Sequence, residues 1–252
     1  TKLGLRGEYT RSQGQWLTAD SSMVRYYFNL FPTAFVSYMP TEDWTLSLDY
    51  TRRIQRPSYT MLDPSVQVED AHSIRVGNTE LKPAFTHNLL VSLGYSEYVS
   101  LDFDFAHTTG NIDYQTTILP GGDRVSRAMN YGTNTSHGIH LSLTEVPLVP
   151  KFSSRDADGR RTIVGAWLAL TAQAGVMREH YRSYDKMLDL RHWSADIYAE
   201  LNAYLPHDWT LSVDGYYATP SVWSAERMSA WKELNLAVKK DFPKHGLTLS
   251  AR

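Results

Sequence analysis

Long stretches of this sequence alternate residue by residue between apolar and polar side chains, and this alternation constrains the fold more than any other feature. Residues 44–51 read WTLSLDYT, residues 99–105 read VSLDFDF, and residues 209–214 read WTLSVD. Successive side chains of a β-strand point to opposite faces, so each stretch predicts a strand with one apolar and one polar face. Segments with a helical period are almost absent, and the sequence therefore predicts an all-β fold.

The strands and their connections follow a regular order along the chain. We predict about eleven strands, at 3–12, 26–38, 44–54, 86–95, 99–118, 124–145, 162–180, 191–204, 209–219, 230–241 and 246–252. Short connections are predicted at 39–43, 96–98, 206–208 and 242–245, and long ones at 13–25, 55–85, 181–190 and 220–229. Short turns at one edge and long loops at the other are typical of an up-and-down antiparallel barrel. The segment 146–161 is an exception, because it is long where a short turn is due.

Strand length, aromatic residues and carboxylates favour a membrane barrel over a soluble sandwich. Strands of about ten residues are longer than those of most soluble sheets and suffice to cross a bilayer at a tilt. Aromatic residues mark the predicted short turns, as in the girdle of a membrane barrel: Tyr38, Trp44, Tyr95, Tyr98, Trp209 and Phe242. Carboxylates lie in mid-strand on the polar face, where a wet lumen tolerates them: Asp49, Asp102, Asp104, Asp196, Glu200 and Asp214. A soluble carbohydrate-binding β-sandwich, which the Tyr and Trp content would suit, stays open as an alternative.

The barrel interpretation makes two predictions about coordinates. Leucine, isoleucine and phenylalanine side chains of the apolar face should be exposed in an isolated chain, and the carboxylates should lie on the opposite face; the test residues are Leu46, Leu101, Phe103, Ile197 and Leu211 against Asp102, Asp104 and Asp196. The strands at 3–12 and 246–252 should not pair with each other. Both run in the same direction, so closing an eleven-stranded barrel would force one parallel pair, and we expect an open sheet.

Composition excludes several functional classes. The formal net charge of −2 over 252 residues argues against a broadly basic nucleic-acid binder. Cysteine is absent, so the chain has no disulfide, thiolate metal site or cysteine nucleophile. No apolar run has the length of a transmembrane helix. The first residues, TKLGLRGEYT, lack the basic and apolar regions of a signal peptide.

Five motifs occur in a characteristic order: LGLRGEYT at 3–10, NLFPTAFVSY at 29–38, LDYTRRIQRPSYTMLDP at 48–64, GNTELKPAFTHN at 77–88 and ELNLAVKKDF at 233–242. Together they resemble the C-terminal β-barrel of TonB-dependent outer-membrane receptors, in the branch called outer-membrane β-barrel family proteins. The resemblance covers nearly the whole chain. Thr79 departs from the family pattern, which usually has proline at that position, and this affects only the local turn.

The resemblance implies a partial β-barrel domain over 1–252, belonging to a larger barrel of about 22 strands in the outer membrane. Receptors of this kind also carry a plug domain and a TonB box, and neither is recognised here. The resemblance further implies barrel wall and extracellular loops of a nutrient transporter that is not an enzyme and has no catalytic residues, cofactor or metal. Its implied partners are outer-membrane lipid and lipopolysaccharide, the TonB complex through a plug, and a nutrient that the sequence does not name. Nucleic acid is not among them.

Arg52, Arg53 and Arg56 are the candidate binding residues, because they crowd into a proline-rich segment at the predicted long-loop edge. Strand parity places Arg53 on the polar face and Arg52 on the apolar face, at or above the lipid headgroups. Guanidinium groups there could bind lipopolysaccharide phosphate or a substrate carboxylate. The alternative is a scaffold in which the arginines pair with lumen carboxylates beneath a folded loop. Pro57, Pro64 and Pro83 should interrupt strand pairing, and Gly77-Asn78 suits a turn with positive φ.

Other chemistry has weaker support. The RDADGR stretch at 155–160 only partly matches a calcium loop and is better explained as a turn. His137 and His140 are three residues apart on a predicted strand, so they should lie on opposite faces and not share a metal. An outer-membrane lipase or protease barrel stays open as an alternative, although no nucleophile motif is recognisable.

Overall fold

A computed structural model describes residues 1–17, 20–152, 163–223 and 226–252 of the chain, and β-strands dominate it. The strands are β1 (Lys2–Trp16), β2 (Ser21–Tyr38), β3 (Trp44–Gln55), β4 (Val66–Asp70), β5 (Ser73–Val76), β6 (Ala84–Tyr95), β7 (Val99–Ile118), β8 (Arg124–Phe152), β9 (Ile163–Ser183), β10 (Asp189–Leu205), β11 (Trp209–Ala218), β12 (Ser221–Trp223), β13 (Glu226–Met228), β14 (Trp231–Phe242) and β15 (Leu247–Ala251). One helix, α1 (Tyr59–Leu62), and a 3-10 turn at Pro243–His245 complete the described elements. In the described part of the chain, no helix has the length and apolar character needed to cross a membrane.

Eleven of these strands form one up-and-down wall. Its order is β1-β2-β3-β6-β7-β8-β9-β10-β11-β14-β15, and every neighbouring pair in it is antiparallel. The connections therefore fall alternately at two edges, which we call the short-turn edge and the long-loop edge. Within the described residues β1 and β15 do not pair, so the sheet is open. Both results confirm the predicted topology.

The two faces of the wall differ as predicted. Leu46, Leu101, Phe103, Ile197 and Leu211 are all exposed on one face, which we call the apolar face. The carboxylates Asp102, Asp104 and Asp196 alternate with them in the same strands and are partly buried on the other, polar face. No second sheet covers the apolar face in the described ranges, which argues against the soluble sandwich. At the short-turn edge the rings of Trp44 and Tyr95 contact each other with centroids 4.8 Å apart.

The predicted loop at 13–25 is wrong over most of its length. β1 extends to Trp16 and β2 begins at Ser21, and these two residues are register partners. The sequence there is mainly polar, so it lacks the alternation by which strands are recognised. Pairing with the neighbouring strand is enough to hold the hairpin, because every backbone N–H and C=O group needs a partner. The segment 155–160, interpreted above as a turn, lies outside the described residues.

Candidate functional site

The proline-rich part of the sequence folds into a compact unit at the long-loop edge, and we call residues 56–83 the rim segment. Pro57 follows the end of β3, and the Ser58 hydroxyl accepts a 3.2 Å hydrogen bond from the Met61 N–H, which caps α1. β4 and β5 form a hairpin, and β5 pairs in parallel with Arg124–Arg127 at the start of β8. Pro83 directly precedes β6. The prolines thus interrupt pairing as predicted, but the single loop predicted at 55–85 is wrong, because it contains secondary structure of its own.

The rim segment packs against the extended strands through a small apolar core. This core joins two residues of the rim segment to residues of β2, β6, β7 and β8, and its buried members are Met23, Leu62, Leu81, Ala84, Ile112 and Ala128. The guanidinium of Arg25 also donates a hydrogen bond to the carbonyl oxygen of Leu81. Met23, Arg25 and Ala84 belong to the polar face, so the rim segment lies over that face. Its position is therefore fixed by burial and by hydrogen bonding.

Gly77 and Asn78 join the end of β5 to the end of α1 within the rim segment. The Asn78 N–H donates a 2.7 Å hydrogen bond to the carbonyl oxygen of Met61, and the Asn78 side chain accepts one of 2.8 Å from the Glu80 N–H. The prediction of a positive φ at this pair is wrong, because neither Gly77 nor Asn78 has one. Glycine is needed for close approach instead: a Cβ on Gly77 would lie 2.3 Å from the carbonyl oxygen of Asp63.

Arg56 forms an ion pair with β1 at the long-loop edge. Its Nη2 lies 2.5 Å from Oε2 of Glu8 on β1 and donates a second hydrogen bond of 3.3 Å to the Thr10 hydroxyl. The hydrogen bond to Glu8 raises the pKa of the Arg56 guanidinium above its ordinary value. Glu8 also pairs with Arg6 at 3.1 Å. Arg56 therefore ties the start of the rim segment to β1, as in the scaffold alternative.

Arg52 and Arg53 point to opposite faces, so the three arginines do not form one site. Arg53 lies on the polar face, is exposed, and has no ion-pair or hydrogen-bond partner among the described residues. Arg52 lies on the apolar face and donates a 2.8 Å hydrogen bond to the carbonyl oxygen of Leu30. The β2–β3 ladder ends at Thr33 and Thr51, and Leu30 lies just beyond it. Arg52 thus binds a carbonyl group in the part of β2 that β3 no longer pairs with.

A cavity of about 240 Å³ lies where the rim segment meets β1 and β2. Arg25, Tyr27 and Arg56 line it together with Tyr59 and other residues, and no carboxylate is among its lining residues. Both of these arginines already have partners, because Arg25 donates to the Leu81 carbonyl and Arg56 is paired with Glu8. Sequence reasoning missed Arg25 and Tyr27, because β2 carries no unusual motif at these positions and only the fold brings the two residues to Arg56.

A second polar cluster lies in the middle of the wall on the polar face. The Nε2 atom of His140 is 2.9 Å from Oδ1 of Asp104. A Cβ on Gly175 would lie 2.5 Å from Nδ1 of His140 and 3.0 Å from Oδ1 of Asp196. The ring therefore occupies space that any larger residue at Gly175 would need. His137 lies on the apolar face beside Trp193, with centroids 6.2 Å apart, so the predicted separation of His137 and His140 is confirmed.

The described residues show little that resembles catalytic machinery. In the described ranges, no serine hydroxyl is hydrogen-bonded to a histidine, and no group of three or more His, Asp or Glu side chains is placed to hold a metal ion. The described residues show instead a structured segment held over the polar face, with a small cavity lined by arginine and tyrosine side chains beneath it.

Comparison with known proteins agrees with this architecture. A family model described as "Outer membrane protein beta-barrel family" matches residues 1–252. No curated protein matches the sequence. Among solved structures, the siderophore receptor PirA from Pseudomonas aeruginosa is similar with a TM-score of 0.63 at 12% identity, over 97% of this chain and 43% of the receptor.

Two further solved structures share the fold. The ferric enterobactin receptor PfeA from Pseudomonas aeruginosa, solved as a mutant in complex with enterobactin, has a TM-score of 0.59 at 13% identity, over 96% of this chain and 36% of the receptor. The FrpB iron transporter from Neisseria meningitidis has a TM-score of 0.55 at 15% identity, over 95% of this chain and 36% of the transporter. The chain thus spans 36–43% of the length of these receptors, which is less than half.

Proposed function

The chain belongs to the outer membrane protein β-barrel family, and we propose that it forms barrel wall and extracellular loops of a TonB-dependent transporter that imports a scarce nutrient. Its location is the outer membrane, so the apolar face meets lipid and the polar face lines the lumen. The long-loop edge is then extracellular and the short-turn edge periplasmic. In the proposed receptor, a plug domain would pass energy from TonB to release the nutrient into the periplasm.

The observation that carries the proposal is the rim segment folded over the polar face of an up-and-down wall. A nutrient entering such a barrel must pass the extracellular mouth, and the rim segment lies at that mouth with its core buried against β2, β6, β7 and β8. Loops held by a rigid scaffold are where binding residues concentrate. Nothing in this arrangement needs chemical catalysis, so we propose a role in binding and transport without enzymatic activity.

We propose an anionic nutrient as the ligand class. Arg53 is exposed on the lumenal face at the rim, without an ion-pair partner among described residues, and is free to bind a carboxylate or catecholate. Arg56 is already paired with Glu8 and holds the rim segment in place. The siderophore and ferric enterobactin receptors share the fold, which makes ferric enterobactin a suitable first probe.

The test is ligand binding and uptake by the full-length protein that contains this chain. Arg53→Gln should weaken binding of ferric enterobactin by about tenfold or more, the usual size for loss of one charge-assisted contact. Arg182→Gln is the matched control, since Arg182 is exposed near the same edge but shares the apolar face with Arg178.

Uptake supplies the second readout. Dissipating the proton-motive force should stop uptake into cells and leave binding unchanged, because TonB energises release and not capture. Uptake that persists in de-energised cells would refute the TonB-dependent mechanism. Hydrolysis of lipid or peptide substrates by the purified protein would instead support the barrel-enzyme alternative.

A further inference from the structure

The ladder between β2 and β3 stops well before β2 ends. β2 begins at Ser21, but its register with β3 begins only at Thr33, opposite Thr51. Above this point β3 continues beside β6, whereas β1 follows β2 all the way to Ser21. Over residues 21–32, one side of β2 therefore has no strand next to it in the described part of the chain, and we call it the unpaired β2 side.

Pro32 supplies a physical reason for the end of this ladder. Arg52 of β3 donates a 2.8 Å hydrogen bond to the carbonyl oxygen of Leu30, so the backbone groups of Leu30 face β3. Backbone groups of a strand point alternately to its two sides, so those of Pro32 face β3 as well. Proline has no N–H to donate, and the ladder stops where that donor is missing. The unpaired β2 side thus presents the N–H and C=O groups of the even-numbered residues from 22 to 30.

The rim segment faces the unpaired β2 side but does not pair with it. A cavity of about 780 Å³ separates the two, and its lining includes Tyr26 and Tyr27 on one side and Lys82 and Pro83 on the other. Asn130 accepts a 2.8 Å hydrogen bond from the Lys82 N–H and donates one of 2.7 Å to the Lys82 carbonyl oxygen. Pro83 has no N–H. The main chain across the cavity is therefore already engaged, so a strand that pairs with β2 here has to come from elsewhere.

Most of the unpaired β2 side stands above the hydrocarbon. Leu30 and Ser22 are eight and sixteen residues along β2 from Tyr38 at the short-turn edge. At about 3.3 Å per residue and a tilt of about 40°, their heights are about 20 Å and about 40 Å, whereas the apolar band of such barrels is about 25 Å tall. Arg52 satisfies the carbonyl group of Leu30 at the lowest level, and water can solvate the groups above it. This side is therefore tolerated without a partner strand and is reached from outside the cell.

The outward side chains of the same part of β2 are apolar and exposed. Val24, Tyr26 and Phe28 share the apolar face, and each is at least 50% exposed. An exposed strand edge with apolar side chains is a template on which another extended chain can pair. A strand added there would direct alternate side chains outward beside Tyr26 and Phe28 and inward beside Arg25 and Lys82. Its sequence should therefore alternate apolar with polar residues.

We propose that the unpaired β2 side binds an extended extracellular peptide as an additional β-strand between β2 and the rim segment. A row of main-chain donors and acceptors at strand spacing is matched by another strand, whereas a small ion satisfies only a few of them. Acyl chains of lipid would match the outward side chains but offer no hydrogen bonds to the backbone groups. This site depends neither on Arg53 nor on the nutrient that passes through the lumen.

The first measurement is residue-resolved amide hydrogen exchange of the full-length protein in detergent. Without peptide, the amides of residues 24, 26 and 28 should exchange about tenfold or more faster than those of 23, 25 and 27, which face β1. Equal protection of both sets would mean that this side of β2 is already closed, and would overturn the proposal. Protection of 24, 26 and 28 that rises with protein concentration would assign the site to a second copy of the chain and would also overturn it.

The probe is a capped synthetic peptide as long as residues 22–30, in which valine and tyrosine alternate with threonine and a lysine at each end maintains solubility. Its binding should slow exchange at 24, 26 and 28 and leave 23, 25 and 27 unchanged. The matched control is the same peptide with N-methyl groups on the residues whose N–H groups would face β2, and it should not bind. Equal binding of the two peptides, or no binding of the unmethylated one, would refute an added strand.

A pair of variants separates main chain from side chain. Phe28→Pro removes one donor from the unpaired β2 side and leaves the N–H groups that face β1 in place, so the affinity for the peptide should fall about fivefold or more. Phe28→Thr is the matched control, because it removes the same ring and keeps the N–H group. Its loss of affinity should be clearly smaller, and equal losses in the two variants would contradict pairing through the main chain.

If Phe28→Pro fails to fold, Pro32→Val replaces it. Valine supplies the donor that β2 lacks opposite β3, so the ladder should extend and exchange at residue 30 should slow. The longer ladder occupies part of the unpaired β2 side, and the affinity for the peptide should fall about fivefold or more. Unchanged affinity in a variant with the longer ladder would show that the peptide binds elsewhere and would overturn the proposal.

Discussion

The N–H group of Gly77 donates a 3.0 Å hydrogen bond to the carbonyl oxygen of Asp63, and a Cβ on Gly77 would lie only 2.3 Å from that same oxygen. Gly77 directly follows β5, and Asp63 directly follows α1. The two sides of the β4–β5 hairpin therefore meet inside the rim segment at a point where backbone approaches backbone, and no side chain can move aside to make room.

Gly77→Ala should destabilise the rim segment by roughly 1–3 kcal/mol, the usual cost of forcing atoms into a packed region. Faster amide hydrogen exchange at 59–81 in the full-length protein would report it. Gly121→Ala is the control, because a Cβ there meets nothing within 4 Å. Equal exchange in both variants would show that the contact does not hold the segment.

The ion pair between Glu8 and Arg56 should couple the first strand to the rim segment. A double-mutant cycle with Glu8→Gln and Arg56→Gln should give a coupling free energy of about 0.5–1 kcal/mol, modest because both side chains keep access to solvent. Chemical denaturation of the refolded protein measures it. Strictly additive effects would mean that the pair contributes nothing, and a parallel cycle of Arg56→Gln with Glu233→Gln, in the distant β14, should show no coupling.

The apolar face should not tolerate charge in the middle of the bilayer. Phe103→Arg should destabilise the protein in lipid vesicles by about 2–4 kcal/mol, the cost found near the membrane midplane, because Phe103 lies four residues beyond the start of β7 at Val99. Leu211→Arg should cost less, because Leu211 is two residues from Trp209 at the short-turn edge. Ser92→Arg is the control: it places the same charge on the polar face beside its register partner Asp102. A similar cost for Phe103→Arg and Ser92→Arg would contradict the assignment of the faces.

The β9–β10 turn should lose order in acid. Asp185 accepts hydrogen bonds from the Ser183 hydroxyl and, at 2.9 Å, from the Met187 N–H, and these lower its pKa below the ordinary value of 3.8. A carboxyl with a lowered pKa in the folded state stabilises that state fully above its unfolded pKa, and this contribution is lost as the pH falls through the folded pKa. Amide exchange at 184–188 should therefore accelerate, relative to the rest of the sheet, below about pH 3.8.

Asp185→Asn separates charge from geometry in this turn. The amide oxygen can still accept both hydrogen bonds, but it does not titrate in this range. The variant should show no such acceleration at 184–188. An acid transition of the same size in the variant would assign the effect to another group.

Alternation and turn signals in the sequence were enough to assign the two faces and the two edges of the sheet. Alternation decides which side chains face lipid, because a strand has a period of two; Leu101 and Asp102 could be assigned to opposite faces without coordinates. The short turns at 39–43 and 206–208 fixed which ends of the strands lie together. The parity of Arg52 and Arg53 was likewise predictable, since both follow an unbroken alternating stretch. These properties are local, so a single segment contains the information.

The neighbours of a residue on adjacent strands could not be assigned before the fold was known. The register between strands depends on contacts between distant segments, and no local pattern states that Arg52, His87 and His107 share one row. The pairing of Arg56 with Glu8 joins residues 48 positions apart. The rim segment is held in place because Leu62 and Leu81 are buried against side chains of other strands. The hairpin at 13–25 was missed for the same reason: its polar sequence lacks alternation, and it is a strand pair because a partner strand satisfies its backbone hydrogen bonds.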